Sequence, residues 1–174
     1  MDLRIKKLTA DDIPLLQYVG RATYEPYYRH IWKPGGLDWY MEYCFGAKVL
    51  GPALADPGVE YLLAGDAEGA IVGFMKIVLQ KPVPHKDILN ALYLEKIYLM
   101  PDFFGKGAGQ ELLKWVVAEK AVPPGREAVW LEVMRSGPVR AYERAGFENI
   151  GPAYFGHELL IEHERDGWVM LKRL

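Results

Sequence analysis

Residues 97–115 read IYLMPDFFGKGAGQELLKW. An apolar run closes at Met100 and Pro101, and an amphipathic run carrying Leu112, Leu113, Val116 and Val117 follows. Between them Gly105, Lys106, Gly107, Ala108 and Gly109 offer little but main chain. The pattern predicts a strand ending at Met100 and a helix starting at about Gly107. The first N–H groups of a helix have no partner within it, and the positive end of its dipole lies there. Glycines at that point let a ligand approach the backbone. Strand, bare loop and helix start together predict a site for a phosphate or diphosphate, held by the amides from Gly105 to Gln110.

Three other readings compete. A P-loop needs a Ser or Thr directly after its lysine, and none follows Lys106. A dinucleotide fingerprint needs a third glycine where Gln110 stands, although Glu132 sits at a tempting distance for a ribose-binding acid. A turn with no ligand is the plainer reading, but three glycines placed between strand and helix are more than a turn requires.

Upstream, Glu60–Asp66 and Ala70–Gln80 are apolar runs joined by a Gly-Asp-Ala-Glu-Gly link, which predicts a hairpin. Gly73 inside the second run predicts a bulge or close packing. A third strand holds Leu92, Leu94 and Ile97–Leu99. Glu95 lies within it, where burying a carboxylate is costly. Glu95 therefore faces a wet cleft or pairs with Lys96 or another cation. Its even spacing from Leu99 predicts that it shares a face with Ile97 and Leu99.

At the N-terminal end, Leu3, Ile5 and Leu8 alternate with Arg4 and Lys6 as in a half-buried strand. Thr9 and Asp12 form a capping-box variant. A helix burying Ile13, Leu16 and either Tyr18 or Val19 is expected to end near Gly20. An aromatic stretch follows, with Tyr24, Tyr27, Tyr28, Trp32, Trp39, Tyr40, Tyr43 and Phe45, and a second helix over Leu37–Phe45. Core packing explains most aromatics, but eight in so short a window also suit a pocket wall, where Tyr and Trp offer an apolar body and a polar tip. Tyr24, Tyr28 and Trp32 are the candidates. Near the other end, His157–Ile161 and Trp168–Leu171 are expected to make a closing hairpin.

The 174 residues are 51% apolar and 25% charged, a balance that suits one globular domain spanning residues 1–174. The net charge of -2 gives no sign of nucleic-acid binding. One cysteine, Cys44, excludes a disulfide framework and reads as an inert buried thiol. No secretory leader and no membrane-length apolar run are visible, so a cytoplasmic protein is expected. No His, Cys and Asp cluster has metal-ligand spacing, so no metal is expected. His30, His85, His157 and His163 each stand alone in sequence, which favours surface or packing roles.

Two motifs carry a resemblance. The stretch LEKIYLMPDFFGKGAGQELL resembles the acetyl-CoA signature of the GNAT acetyltransferase superfamily. Leu99-Met100-Pro101 and the loop from Phe104 to Gly109 match it, except that Phe104 replaces the usual Gln or Arg. The later stretch VWLEVMRSGPVRAYERAGFENIG is similar to the family's second segment through Tyr142, Gly146 and Phe147, with Arg135 in place of the usual Asn and Pro138 in place of Ala. The likeness narrows toward bacterial polyamine acetyltransferases. It implies an α/β (α+β) GNAT-like fold: a mixed, mostly antiparallel sheet of six to seven strands, about four flanking helices and splayed central parallel strands.

The resemblance also implies acetyl-CoA as cosubstrate. Its pantetheine arm would pair with Ile97, Tyr98 and Leu99 like an added strand, and Arg135 would stand near it. Tyr142 would protonate the CoA thiolate, with Glu95 as general base and Glu132 as a weaker candidate. A small amine acceptor is implied, polyamine-like, aminoglycoside-like, an amino acid or a protein N-terminus, and homodimers are common in the family. The competing reading is an acyl-CoA-binding domain that has lost catalysis.

Overall fold

The computed structural model describes residues 2–174. β1 (Arg4–Lys7), β2 (Val59–Gly65), β3 (Ile71–Val78), β4 (Ala91–Leu99), β5 (Ala128–Met134), β6 (Glu148–Tyr154) and β7 (Asp166–Arg173) form one sheet in the order β1-β2-β3-β4-β5-β7-β6. Every neighbouring pair is antiparallel except β4 and β5. This is the mixed seven-stranded sheet with central parallel strands implied by the two motifs.

Helices cover both faces. α1 (Ile13–Tyr28), α2 (Gly36–Phe45) and α3 (Ala47–Ala55) bury Leu16, Val19, Phe45 and Leu50 against Tyr61 and Phe74. α4 (Ala108–Trp115) continues as a π-helical segment (Val116–Ala121) and buries Leu112, Leu113 and Val116 against Met75, Ile77, Leu92 and Leu94 on the opposite face. The short α5 (Val139–Arg144) precedes β6. Val19 is the buried alternative and Tyr18 points to solvent. Cys44 is buried.

Two expectations change, and one helix that was not foreseen, α3, is added. α1 does not stop near Gly20 but runs on to Tyr28, through Pro26. A Cβ at Gly20 would lie 2.7 Å from the Phe45 ring, so this glycine allows α1 and α2 to approach closely rather than ending a helix. The Asp12 half of the capping box is present, its carboxylate accepting the Thr9 N–H at 2.9 Å. α3 was hidden by Gly51 and Pro52, which read as breakers; its buried Leu50 holds it to the core. His157–Ile161 is not a strand. It crosses back over α2, with one bridge from Leu160 to Trp32. The strand paired with β7 is β6, whose Gly151 and Pro152 resemble a loop but sit on the sheet edge, where proline is tolerated.

Gly73 marks close packing, as one of its two readings predicted. A Cβ there would collide with the Tyr98 carbonyl oxygen on β4 and lie 3.0 Å from the Leu99 Cα.

Candidate active site

β4 and β5 pair over three positions only, Ala91 with Ala128, Leu92 with Val129 and Tyr93 with Trp130. Beyond Tyr93 the β5-facing edge of β4 has no strand partner, and the sheet opens into a cleft. Two cavities fill it, of ≈ 680 and ≈ 620 Å3. They share a border made of Tyr28, Ile97, Tyr98, Gly137, Pro138 and Tyr142.

The first cavity lies over the glycine loop, with Gly105, Gly107, Gly109 and Gln110 in its lining. Gly105 and Gly107 have φ of 74° and 85°, in the left-handed region, and a Cβ at either would meet nothing within 4 Å. These two glycines are therefore required by backbone conformation, and the space in front of them stays open. The Lys106 N–H reaches the Phe103 carbonyl at 3.4 Å and the Gln110 N–H reaches the Gly107 carbonyl at 3.0 Å. The N–H groups of Gly105, Gly107, Ala108 and Gly109 have no acceptor among the described residues. Three of these unpaired amides, of Gly105, Gly107 and Gly109, line the cavity at the head of α4 and form an anion cradle. Arg140 and Arg144, one turn apart on α5, line the same cavity. A diphosphate fits this donor set. The sequence reading missed both arginines, although their spacing around Tyr142 was the available signal. Phe104 stands at the rim, stacked on Tyr27 with ring centroids 4.7 Å apart.

Ile97, Tyr98 and Leu99 line this cavity along the unpaired edge of β4. Lys106 and Ala108 are not in the lining; the Ala108 side chain is buried beneath the loop. Arg135 is also outside it. Its guanidinium stacks on Trp168 at 4.5 Å, and Ser136, Gly137 and Pro138 take the cleft position.

Tyr142 projects from α5 into the shared border, its ring edge-on to buried Phe147. Its hydroxyl has no hydrogen-bond partner among the described residues. Burial, reinforced by Tyr28, pushes its pKa well above the usual phenol range, so it is protonated at neutral pH.

The second cavity has an aromatic wall. Tyr24, Tyr28 and Trp32 all lie on it, joined by Tyr40 and Tyr43. The Trp32 indole N–H donates to the Tyr24 hydroxyl at 3.0 Å, Tyr24 stacks on Tyr28 at 4.7 Å, and Trp32 stacks on Tyr40 at 4.7 Å.

Glu95 lines this cavity, but not on the face expected for it. Lys76 pairs with Lys96 and Ile77 with Leu94, leaving Glu95 as the extra residue of a β-bulge. The bulge resets the alternation. Leu94, Ile97 and Leu99 pack toward α4, while the Glu95 carboxylate meets Lys76, whose ammonium lies 5.5 Å above the Tyr61 ring on the other face. Glu95 Oε1 accepts from Lys76 Nζ at 2.7 Å and lies 3.4 Å from Lys96 Nζ. Burial raises the Glu95 pKa, and the two ammonium groups outweigh it, so the net direction is down and the group is ionised at neutral pH.

His157 also lines the cavity, a position its isolation in sequence concealed. Its ring sits among Trp39, Tyr40 and Tyr43, 5.3 to 5.6 Å from their centroids. Burial first and Lys96 second hold its pKa below the usual imidazole value. Glu132 accepts the Tyr93 hydroxyl proton at 3.1 Å at the far end. Among the described residues, no group of three His, Cys, Asp or Glu side chains is placed to hold a metal, and no helix is long and apolar enough to cross a membrane.

Known proteins share this architecture. The PaiA N-acetyltransferase of Thermoplasma acidophilum, solved in complex with coenzyme A, superposes with a TM-score of 0.75 at 20% identity over 100% of both chains. A variant of the spermidine N-acetyltransferase SpeG of Vibrio cholerae gives 0.69 at 15% identity, over 99% of this chain and 94% of that one. An uncharacterized N-acetyltransferase of Lactobacillus delbrueckii subsp. lactis is 23% identical over 131 residues, 75% of each chain. The acetyltransferase (GNAT) domain family matches residues 57–149, from β2 to the start of β6, which is more than half of the sequence. With the splayed β4–β5 pair and the amide cradle between them and α5, this chain belongs to the GNAT acetyltransferase family.

Proposed function

We propose that the protein transfers an acetyl group from acetyl-CoA to a primary amine by direct attack within a ternary complex. The observation that carries this reading is the shared border of the two cavities. A thioester lying there is reached from the phosphate side by its own pantetheine arm and from the aromatic side by an acceptor, with Tyr142 beside both.

The residues divide the work. The free amides of Gly105, Gly107 and Gly109, with Arg140 and Arg144, hold the diphosphate. The unpaired edge of β4 at Ile97–Leu99 hydrogen-bonds the amide-rich arm, and a β4 N–H pointing into the cleft steadies the thioester oxygen as it gains charge. The neutral amine nitrogen attacks the thioester carbon and the C–S bond breaks. Tyr142 gives its proton to the departing thiolate. The proton lost by the ammonium leaves toward Glu95 through water, although two lysines weaken that carboxylate as a base. The spermidine N-acetyltransferase among the structural relatives supports an amine acceptor.

The test joins calorimetry with acetyl-CoA to release of free thiol in the presence of amines. Acetyl-CoA binding and amine-dependent thiol release are expected, and Tyr142→Phe lowers kcat about 10²-fold or more with binding of acetyl-CoA nearly unchanged. Binding without turnover for any amine, and no effect of Tyr142→Phe, would establish a silent acyl-CoA-binding domain instead.

A further inference from the structure

The acceptor cavity carries more positive charge than its glutamates neutralise. Lys76 and Lys96 share one oxygen of Glu95, at 2.7 and 3.4 Å. The Lys76, Lys96 and Glu95 side chains are 17%, 10% and 24% exposed, so this imbalance lies inside the protein. Lys96 is nine-tenths buried, lines the cavity and makes only the longer of the two contacts with Glu95. The remaining charged lining residues are Lys81 and Glu132. Lys81 lies 4.1 Å above the Tyr93 ring, and Glu132 accepts from the Tyr93 hydroxyl. Three lysines thus face two glutamates, of which Glu95 is held by two lysines and Glu132 only by the Tyr93 hydroxyl.

A polyamine would bring several ammonium groups into this cavity and find one carboxylate without a cation partner, Glu132 at its far end. The acids nearest the aromatic stretch do not help. Glu25 is paired with Arg21 and Arg29, Asp38 with Arg21, and none of Glu25, Asp38 and Glu42 is in the lining. A buried ammonium with an incomplete partner is costly and gains most from an incoming anion. CoA phosphates have their own cradle in the other cavity, where Lys96 does not reach.

We infer that the acceptor is a small amino acid with an apolar or aromatic side chain, its carboxylate held by Lys96 and its side chain against the wall of Tyr24, Tyr28, Trp32 and Tyr40. This rests on the acetyltransferase reading and names its substrate class. The cavity has room for such a molecule, at ≈ 620 Å3.

The experiment compares phenylalanine with phenethylamine, tryptophan with tryptamine, and both pairs with spermidine, in thiol release from acetyl-CoA. Each amino acid is expected to exceed its decarboxylated partner and spermidine by at least about tenfold in kcat/KM, the worth of one charge-assisted hydrogen bond. Lys96→Met removes that preference chiefly through KM for the amino acid, and Lys96→Arg restores part of it. Preference for spermidine or for the decarboxylated amines, or an equal loss for every acceptor in Lys96→Met, overturns the assignment while leaving acetyl transfer intact. Failure of acetyl-CoA to bind in calorimetry overturns the acetyltransferase reading as well. Calorimetry of phenylalanine against the CoA-saturated protein gives a second readout free of turnover. No heat there, where Lys96→Met and the parent behave alike, also overturns the carboxylate site.

Discussion

The Gln110 side-chain amide donates to the Ala141 carbonyl at 2.7 Å, tying the first turn of α4 to the turn of α5 that carries Tyr142. The loop that cradles the anion and the phenol at the cavity border are thereby held as one unit. Gln110→Leu is expected to lower kcat about tenfold, through a misplaced Tyr142, and to lower stability by about 1 kcal/mol from one lost hydrogen bond. Steady-state kinetics beside chemical denaturation check it. An unchanged kcat with lowered stability would leave the bond a purely structural one.

Gly107 and Gly69 share a left-handed backbone, with φ of 85° and 88°, but only Gly107 faces the cleft. Alanine at either position costs roughly 1 kcal/mol of backbone strain. Gly107→Ala is expected to weaken acetyl-CoA binding tenfold or more, because the relaxed loop misdirects its free amides. Gly69→Ala, in the β2–β3 turn, leaves affinity unchanged at a similar loss of stability. Calorimetry on both variants separates ligand binding from strain.

Gly73 holds β3 and β4 together at the level of Tyr98 and Leu99. Gly73→Ala pushes a methyl into the Tyr98 carbonyl, so the strand that offers its edge to the pantetheine arm must shift. A loss of about 1–3 kcal/mol in stability is expected, together with weaker acetyl-CoA binding. Denaturant midpoints and calorimetry measure the two effects. Full affinity in a folded variant would remove β4 from the binding role.

His157 has a folded-state pKa below the free value of 6.5, from burial first and Lys96 second. As pH falls through 6.5 the unfolded chain takes up the proton before the folded one does. The contribution of this residue to stability is therefore complete above 6.5 and declines on acidification toward its folded pKa. Ring-proton titration by NMR should place its midpoint below those of free histidine peptides, and Lys96→Met should move that midpoint upward. A midpoint indifferent to Lys96 would contradict the proximity of the two groups.

Much of the fold was legible in local pattern. The hairpin of β2 and β3, the strand over Leu92–Leu99, the glycine loop and the helix after it follow from periodicity and from the left-handed preference of glycine. Where local signals mislead, they have a non-local purpose. Gly20 resembles a helix stop but is a helix-packing contact with Phe45. Gly151 and Pro152 resemble a loop but belong to an edge strand. Gly51 and Pro52 resemble a break but sit in α3.

The site divides in the same way. The glycine loop from Gly105 to Gly109 could be read directly, because a bare helix head needs glycine at fixed places along the chain, whereas Tyr142, Gly146 and Phe147 came only from the resemblance to the family's second segment. The direction of Glu95 could not, since one bulge opposite Lys76 reverses the face a residue presents, and bulges depend on strand register. Nor could the gathering of Lys76, Lys96 and His157 around one cavity, or of Arg140 and Arg144 beside the cradle. Those groups lie far apart in sequence and meet only because β4 and β5 diverge after Tyr93 and Trp130. Local dihedral preference wrote the glycine loop into the chain; the balance of charge in the cavity arises only when distant segments pack.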